Sequence, residues 1–260
     1  STPGRTLFPY TTLFRSNGMN PEAIAAIAKS HDVQAICTSP EVHNPTGLFT
    51  PVERREEIVE VARAHDIQII EDDCYRMGAS RAPSYRMLAP ERGWYVSSIS
   101  KTLTPALRIG FVVAPKPSVP ALRRSAEHGF FGLATPLADL AERLLADPQA
   151  AEYATKVNEV FGKYVQTCVN ALGCYDLTWN EDVPFVWLKL PEGWRASAFC
   201  QAAESEKVQI RPAEDFAGRE ARAPHAVRIA INAQIAHDHF ESAMLRLRNL
   251  LDSPPERISV

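Results

Sequence analysis

Lys101 closes the run Ser98-Ile99-Ser100-Lys101, and Arg108 follows it by 7 positions. Upstream stand Asn44, in Asn44-Pro45-Thr46-Gly47, and the acids of Glu71-Asp72-Asp73-Cys74-Tyr75. Arg228 comes much later, in Val227-Arg228-Ile229-Ala230-Ile231. These residue types differ in what they can do. An amine stripped of its proton by burial or by nearby positive charge attacks a carbonyl carbon. A buried carboxylate holds a facing ring nitrogen protonated. An amide and a phenol donate hydrogen bonds to an oxyanion. A hydroxyl beside a guanidinium cradles a phosphate, and a separate guanidinium takes a carboxylate.

Taken singly, each residue has a plainer use. Lys101 is a surface lysine by default. Asn44 suits a turn, and Tyr75 a half-buried packed ring. Arg108 and Arg228 suit surface ion pairs. Asp72 and Asp73 suit a solvated strand end, and no histidine or third carboxylate at ligand spacing argues for a metal there. Their occurrence together and in order is what favours chemistry.

The elements between them alternate strand and helix. Pro21 to Lys29 reads as a helix with Asn20 as cap and Pro21 at its first position. Val33 to Thr38 reads as a buried strand running into a proline-rich loop. Thr50-Pro51-Val52-Glu53 reads as a capping box opening a helix that ends near His65. Ile67 to Ile70, Trp94 to Ile99 and Arg108 to Ala114 read as further strands. Such units imply a parallel sheet covered on both faces, with ligands beyond the carboxyl ends of the strands. The polar clusters fall at those ends.

Thr135 to Leu172 reads as two helices broken near Asp147-Pro148. Val183 to Leu190, Val208 to Arg211 and Ala226 to Ile231 read as strands. Ala196 to Lys207 and Ala236 to Leu251 read as amphipathic helices. His237 and His239 belong to the start of the last helix. His43 fits loop packing, and Trp179, Trp187 and Trp194 fit core and edge packing. The domain reading is therefore a partial large α/β domain over 17–149 and a small α+β domain over 150–260.

Residues 1–16 are set apart as an artefact. Thr6 to Ser16, TLFPYTTLFRS, resembles the translation of a sequencing-adapter oligonucleotide over its whole length.

Composition bounds the rest. The chain has 260 residues, 45% hydrophobic and 23% charged, with a formal net charge of −3. That balance leaves no electrostatic footprint for nucleic acid or an anionic membrane. No apolar run approaches the roughly 20 residues of a membrane helix. The 5 cysteines form no CxxC pair and no ligand spacing with histidine, which reads as free thiols in a reducing cytoplasm.

A pyridoxal-phosphate site needs each residue type named at the outset: a lysine for the cofactor aldehyde, an acid at the pyridine nitrogen, donors to the phenolic oxygen, a phosphate cradle and an arginine for an amino-acid carboxylate. The order NPTG, EDDxY, SxSK with its following arginine, and a late VRIAI strand closely resembles the fold-type I aminotransferases of class I/II. The stretches VPFVWLKLPEGW and PAEDFAG look like the subgroup fused to winged-helix regulators of the MocR type.

The resemblance covers Asn17 to about Leu251, and it carries roles with it. Lys101 is then the catalytic lysine and later proton carrier. Asp72 pairs with the pyridine nitrogen, because the motif sets that acid three residues before the tyrosine. Asn44 and Tyr75 hold the phenolic oxygen. Ser98 and Arg108 bind phosphate, and Arg228 binds the substrate carboxylate. The Asn44-Pro45 bond is expected to be cis. The cofactor is pyridoxal 5'-phosphate. The reaction moves an amino group between an amino acid and a 2-oxo acid, in a cytoplasmic protein that forms a homodimer when complete.

The sequence departs from that pattern in places. Ala106 stands where many relatives have glycine. The upstream glycine-rich turn, the ring-stacking aromatic and the tyrosine donated across a dimer find no match, so the site is expected to be incomplete.

Alternatives stay open. Ser98-x-x-Lys101 fits the penicillin-recognising enzymes, but their SDN and KTG elements are missing from the sequence. As an alternative, the same pocket residues suit an effector-binding domain of a MocR/GntR-type transcriptional regulator, with nucleic acid bound only through an upstream domain. Other pyridoxal reactions use the same residues.

Overall fold

The computed structural model describes residues 14–15, 17–130, 132–218 and 223–254. Most of the segment set apart above, 1–13 and 16, lies outside the described residues. The chain divides into two compact units. One comprises Ser16–His43 and Phe49–Asn158; the other contains Asn44–Leu48 and Glu159–Val260.

The first unit opens with helix α1, Pro21–Ser30. Asn20 caps it, its side chain accepting the Glu22 N–H at 3.1 Å, with Pro21 inside the first turn. Strand β1 is Ala35–Thr38, helix α2 Val52–Ala64 and strand β2 Gln68–Asp72. The short helix α3, Tyr85–Leu88, precedes β3, Gly93–Ser98, and β4, Gly110–Val113. Gly93 has to be glycine, since a Cβ there would come within 2.3 Å of the Tyr85 carbonyl oxygen at the start of α3.

The sheet order is β1-β2-β3-β4. β1, β2 and β3 run parallel and β4 is antiparallel to β3, so the sheet is mainly parallel, as expected, with one antiparallel edge strand. The physical reason is the connection. Parallel strands need a crossover of a dozen or more residues, usually a helix. Here the chain folds straight back, with Ile99 N–H bonded to the Ile109 carbonyl at 3.3 Å. The face covering differs from expectation, because Phe111, Val112 and Val113 of β4 are exposed.

α2 packs its apolar stripe on one face of this sheet. Ile58 and Ala62 of α2, with Ile67 and Ile69, are fully buried, each isoleucine contributing about 1.5–3 kcal/mol. The expected capping box is not formed. Pro51 takes the cap position and no side chain caps the helix. Thr50 is buried instead, its carbonyl accepting from Arg55 Nε at 2.9 Å. Its side chain lies against Gly18, where a Cβ would approach Thr50 Oγ1 to 2.5 Å. Gly18 also adopts φ +102°, a conformation that favours glycine.

Helices α4, Val119–Phe130, and α5, Thr135–Ala146, follow. α6, Pro148–Leu172, starts after Asp147, whose carboxylate accepts the Gln149 N–H at 2.8 Å. The break therefore falls where sequence placed it.

The second unit carries strands β5, Leu177–Thr178, and β6, Phe185–Lys189. Helix α7, Ala196–Ser205, leads to β7, Arg211–Pro212, then β8, Ala226–Ala230, and α8, His237–Asp252. The order β5-β6-β8-β7 is antiparallel throughout. The expected strand from Val208 shrinks to two residues at the sheet edge, the position that tolerates Pro212.

Alternation sorts this sheet into two faces. Val186, Leu188, Val227 and Ile229 join Val165, Phe199, Phe240 and Leu247 in the core. Phe185, Trp187 and Arg228 point the other way. Trp187 and Trp194 are buried, whereas Trp179 is 40% exposed. His237 begins α8, and its ring nitrogen hydrogen-bonds Thr167.

Candidate active site

In the first unit, strand alternation aims Asp72. Glu71 is buried on the α2 side of the sheet, so Asp72 faces the opposite side with Ile70 and Cys37. Parallel pairing sets Asp72 beside Val96, and Ser98 lies two residues further along that face. Asp72 Oδ1 accepts the Cys74 N–H at 3.0 Å. Burial, then the hydrogen bond and charge of Asp72, push the Cys74 thiol up to about 12, while the Ser98 hydroxyl pulls the other way.

Asp73 plays a different part. It is 4% exposed, and Oδ2 accepts from Tyr95 Oη at 2.6 Å and Arg76 Nε at 2.7 Å. Ser97 Oγ donates to its carbonyl at 3.0 Å. Asp73 therefore braces the chain after β2, while Asp72 keeps the outward face.

After β3 the backbone turns sharply, Leu103 and Thr104 both donating to the Ile99 carbonyl at 3.0 Å. Arg108 ends this excursion at φ 53°, a left-handed conformation uncommon outside glycine. The turn creates an open cavity of about 350 Å³ lined by Cys74, Tyr75, Ser98, Ser100, Lys101 and Arg108, with Ile109 and Gly110. Lys101 Nζ stands 5.6 Å from the Tyr75 ring centroid. Four expected residues (Tyr75, Ser98, Lys101, Arg108) therefore share one cavity. Asp72 adjoins it through Cys74 without lining it. Ser100 and Cys74 were not singled out, although each sits beside a residue that was. Lys101 and Arg108 are exposed, so these walls do not supply the burial expected of an amine nucleophile.

The other two expected residues belong to the second unit. Arg228 donates through Nη1 to Asn44 Oδ1 at 2.7 Å. Its guanidinium lies 5.3 Å from the Phe185 ring centre and 4.8 Å from that of Phe216. The Asn44-Pro45 bond is cis. His43, next to it in sequence, is pushed down to about 4 by burial and is neutral at neutral pH.

A buried ionic cluster lies on the α2 side of the first sheet. Arg55 Nη2 meets Glu41 Oε1 at 2.5 Å, and Arg55 Nη1 lies 4.0 Å from Glu71 Oε1. Arg55 also donates to the Pro83 carbonyl at 2.9 Å, and Glu71 Oε2 accepts the Tyr85 N–H at 2.6 Å. Arg55, Glu41 and Glu71 are each 1% exposed or less. Sequence reasoning missed this cluster. The signal was an arginine at the core-facing spacing 55, 58, 59, 62 of α2. Among the described residues, no group of acids, histidines and cysteines could hold a metal ion, and no helix is long and apolar enough to cross a membrane.

A profile of the family described as aminotransferase class I and II matches residues 11–247. An uncharacterized HTH-type transcriptional regulator, YdeF of Bacillus subtilis, is 26% identical over 90% of this chain and 51% of its own length. The 2-aminoadipate transaminase of Thermus thermophilus is 28% identical over 76% of this chain and 53% of its own length. The chain thus spans about half the length of the curated relatives it matches. The crystal structure of Pyrococcus horikoshii kynurenine aminotransferase superposes with a TM-score of 0.82, covering 94% of this chain and 63% of that one, at 20% identity. That likeness speaks to fold.

Proposed function

Because the chain belongs to the class I and II aminotransferases and has their fold-type I α/β architecture, we propose that it carries most of a pyridoxal-phosphate site that moves an amino group between an amino acid and a 2-oxo acid. The observation that carries this reading is the shared cavity of Tyr75, Ser98, Lys101 and Arg108.

The donor set fits the cofactor. Ser98 and Ser100 offer hydroxyls, and Arg108 a permanently charged fork, to a phosphate. Lys101 offers the amine that attacks an aldehyde and then carries a proton. Asp72, on the outward face of β2, is the acid for the pyridine nitrogen. When bound, pyridoxal phosphate supplies an electron sink that loosens the bonds at the amino acid's α-carbon. Tyr75 and Asn44 donate to the phenolic oxygen, and Arg228 holds the substrate carboxylate.

A homodimer in the complete protein is part of this reading. Leu137, Leu140 and Leu145 of α5 are each exposed, and exposed apolar side chains suit a surface that meets a partner. A cytoplasmic setting accords with the free cysteines.

The similarity to an HTH-type regulator over 90% of this chain supports a second reading, an effector-sensing domain of the MocR/GntR type that binds the same cofactor. Spectrophotometry tests the shared claim. Incubation with pyridoxal phosphate should produce a visible or near-ultraviolet band that Lys101→Ala abolishes. In the complete protein that variant should also lose several powers of ten in turnover. An unchanged band in Lys101→Ala would sink both readings. Turnover of an amino acid with a 2-oxo acid then separates enzyme from sensor.

A further inference from the structure

We propose that Arg211 is a second cation of the carboxylate site centred on Arg228, and that it exchanges its partner Asp215 for the incoming carboxylate. This rests on the reading that Arg228 receives the substrate carboxylate. Antiparallel pairing sets Arg211 of β7 directly opposite Arg228 of β8. Directly paired residues project from the same face of a sheet, and like charges so placed repel. Two arginines facing each other therefore mark a place where an anion is welcome. Both line one open cavity of about 410 Å³ with Asp215 and Phe216.

Arg228 by itself offers less than a full fork to that cavity. One Nη1 bond is spent on Asn44, and Nε is enclosed without a hydrogen-bond partner among the described residues. A carboxylate has two oxygens to satisfy, so its second oxygen needs a donor from elsewhere. Arg211 is placed to give it. Among the described residues its own tie is a single contact, Nη1 to Asp215 Oδ2 at 3.2 Å, with side chains 71% and 41% exposed. Exposed pairs of this kind are weak and exchange readily. Among the described residues the cavity then holds two guanidinium groups and one carboxylate, which leaves one positive charge for a monocarboxylate end.

The test is an NMR titration of the full chain with pyruvate, following arginine side-chain and backbone signals. Circular dichroism checks that each variant is folded. Arg228→Gln should abolish binding. Arg211→Gln should weaken it by about 10–100-fold, the range for a charge-assisted hydrogen bond. Asp215→Asn should tighten it several-fold by removing the competing acid. A merely structural role for the Arg211–Asp215 pair would not produce that gain. If Arg211→Gln binds like the parent while Arg228→Gln does not, Arg211 has no part in the site and the reading of Arg228 stands. If Arg228→Gln binds like the parent, or the parent shows no shifts, the reading of Arg228 fails and takes this inference with it.

Discussion

Arg228 and Asn44, 184 positions apart in sequence, meet at 2.7 Å with the guanidinium donating to the amide oxygen. That contact orients the amide. Its oxygen faces the arginine, so its NH2 edge points elsewhere, as a donor to a phenolic oxygen must. Asn44→Asp keeps an acceptor for Arg228 and strengthens it with charge, but removes the donor edge. It is expected to leave thermal stability unchanged or slightly higher and to weaken pyridoxal-phosphate binding by roughly tenfold, a single hydrogen bond's worth. Unaltered cofactor affinity in a spectrophotometric titration would remove Asn44 from the site.

Asp72 and Asp73 are adjacent acids with different surroundings. Asp73→Asn weakens the bonds to Tyr95 and Arg76 and should cost about 1–3 kcal/mol of stability in urea unfolding. Asp72→Asn keeps an oxygen for the Cys74 N–H, and should leave stability nearly intact while changing the bound-cofactor spectrum and cutting turnover in the complete protein. The reverse pattern would exchange their roles.

Removing one member of the buried pair Arg55–Glu41 strands a charge that is 1% exposed or less. Arg55→Ala is expected to cost about 3–5 kcal/mol. The double variant Arg55→Met with Glu41→Leu should lose less than Arg55→Ala alone. Denaturant midpoints read both, and a loss below about 1 kcal/mol for Arg55→Ala would contradict the cluster's structural role.

Glu71 makes stability depend on pH. Burial, with the charges of Asp73 and Glu41, raises its carboxyl from 4.5 to about 7, against the opposing pull of the Tyr85 N–H and Arg55. A raised folded-state value means the native state holds its proton more tightly than the unfolded chain. The stabilisation is therefore full below about 4.5 and fades as pH rises through about 7. The slope reaches at most about 1.4 kcal/mol per pH unit. Glu71→Gln should flatten that fall between pH 5 and pH 7. An unchanged stability–pH curve in Glu71→Gln would show that Glu71 does not titrate in this window.

The sequence determined most of the elements and named the residues of the proposed site. Apolar periods placed α2, β2, β3 and α8 within a few residues, because those patterns reflect which face must leave water. The motifs around Asn44, Asp72, Lys101 and Arg108 named residue types before any coordinates, because each reactive role admits few side chains.

Tertiary structure decided what depends on partners distant in the chain. The return of β4 followed from a connection too tight for a crossover helix, and the capping box yielded to Thr50 packing against Gly18. Arg55 meets Glu41 and Glu71, Asn44 meets Arg228, and Arg211 faces Arg228 only once strands and loops are assembled. A local pattern records a residue's neighbours along the chain and cannot record those brought to it by folding. The open setting of Lys101 was hidden for the same reason, since exposure is a property of the walls around a residue.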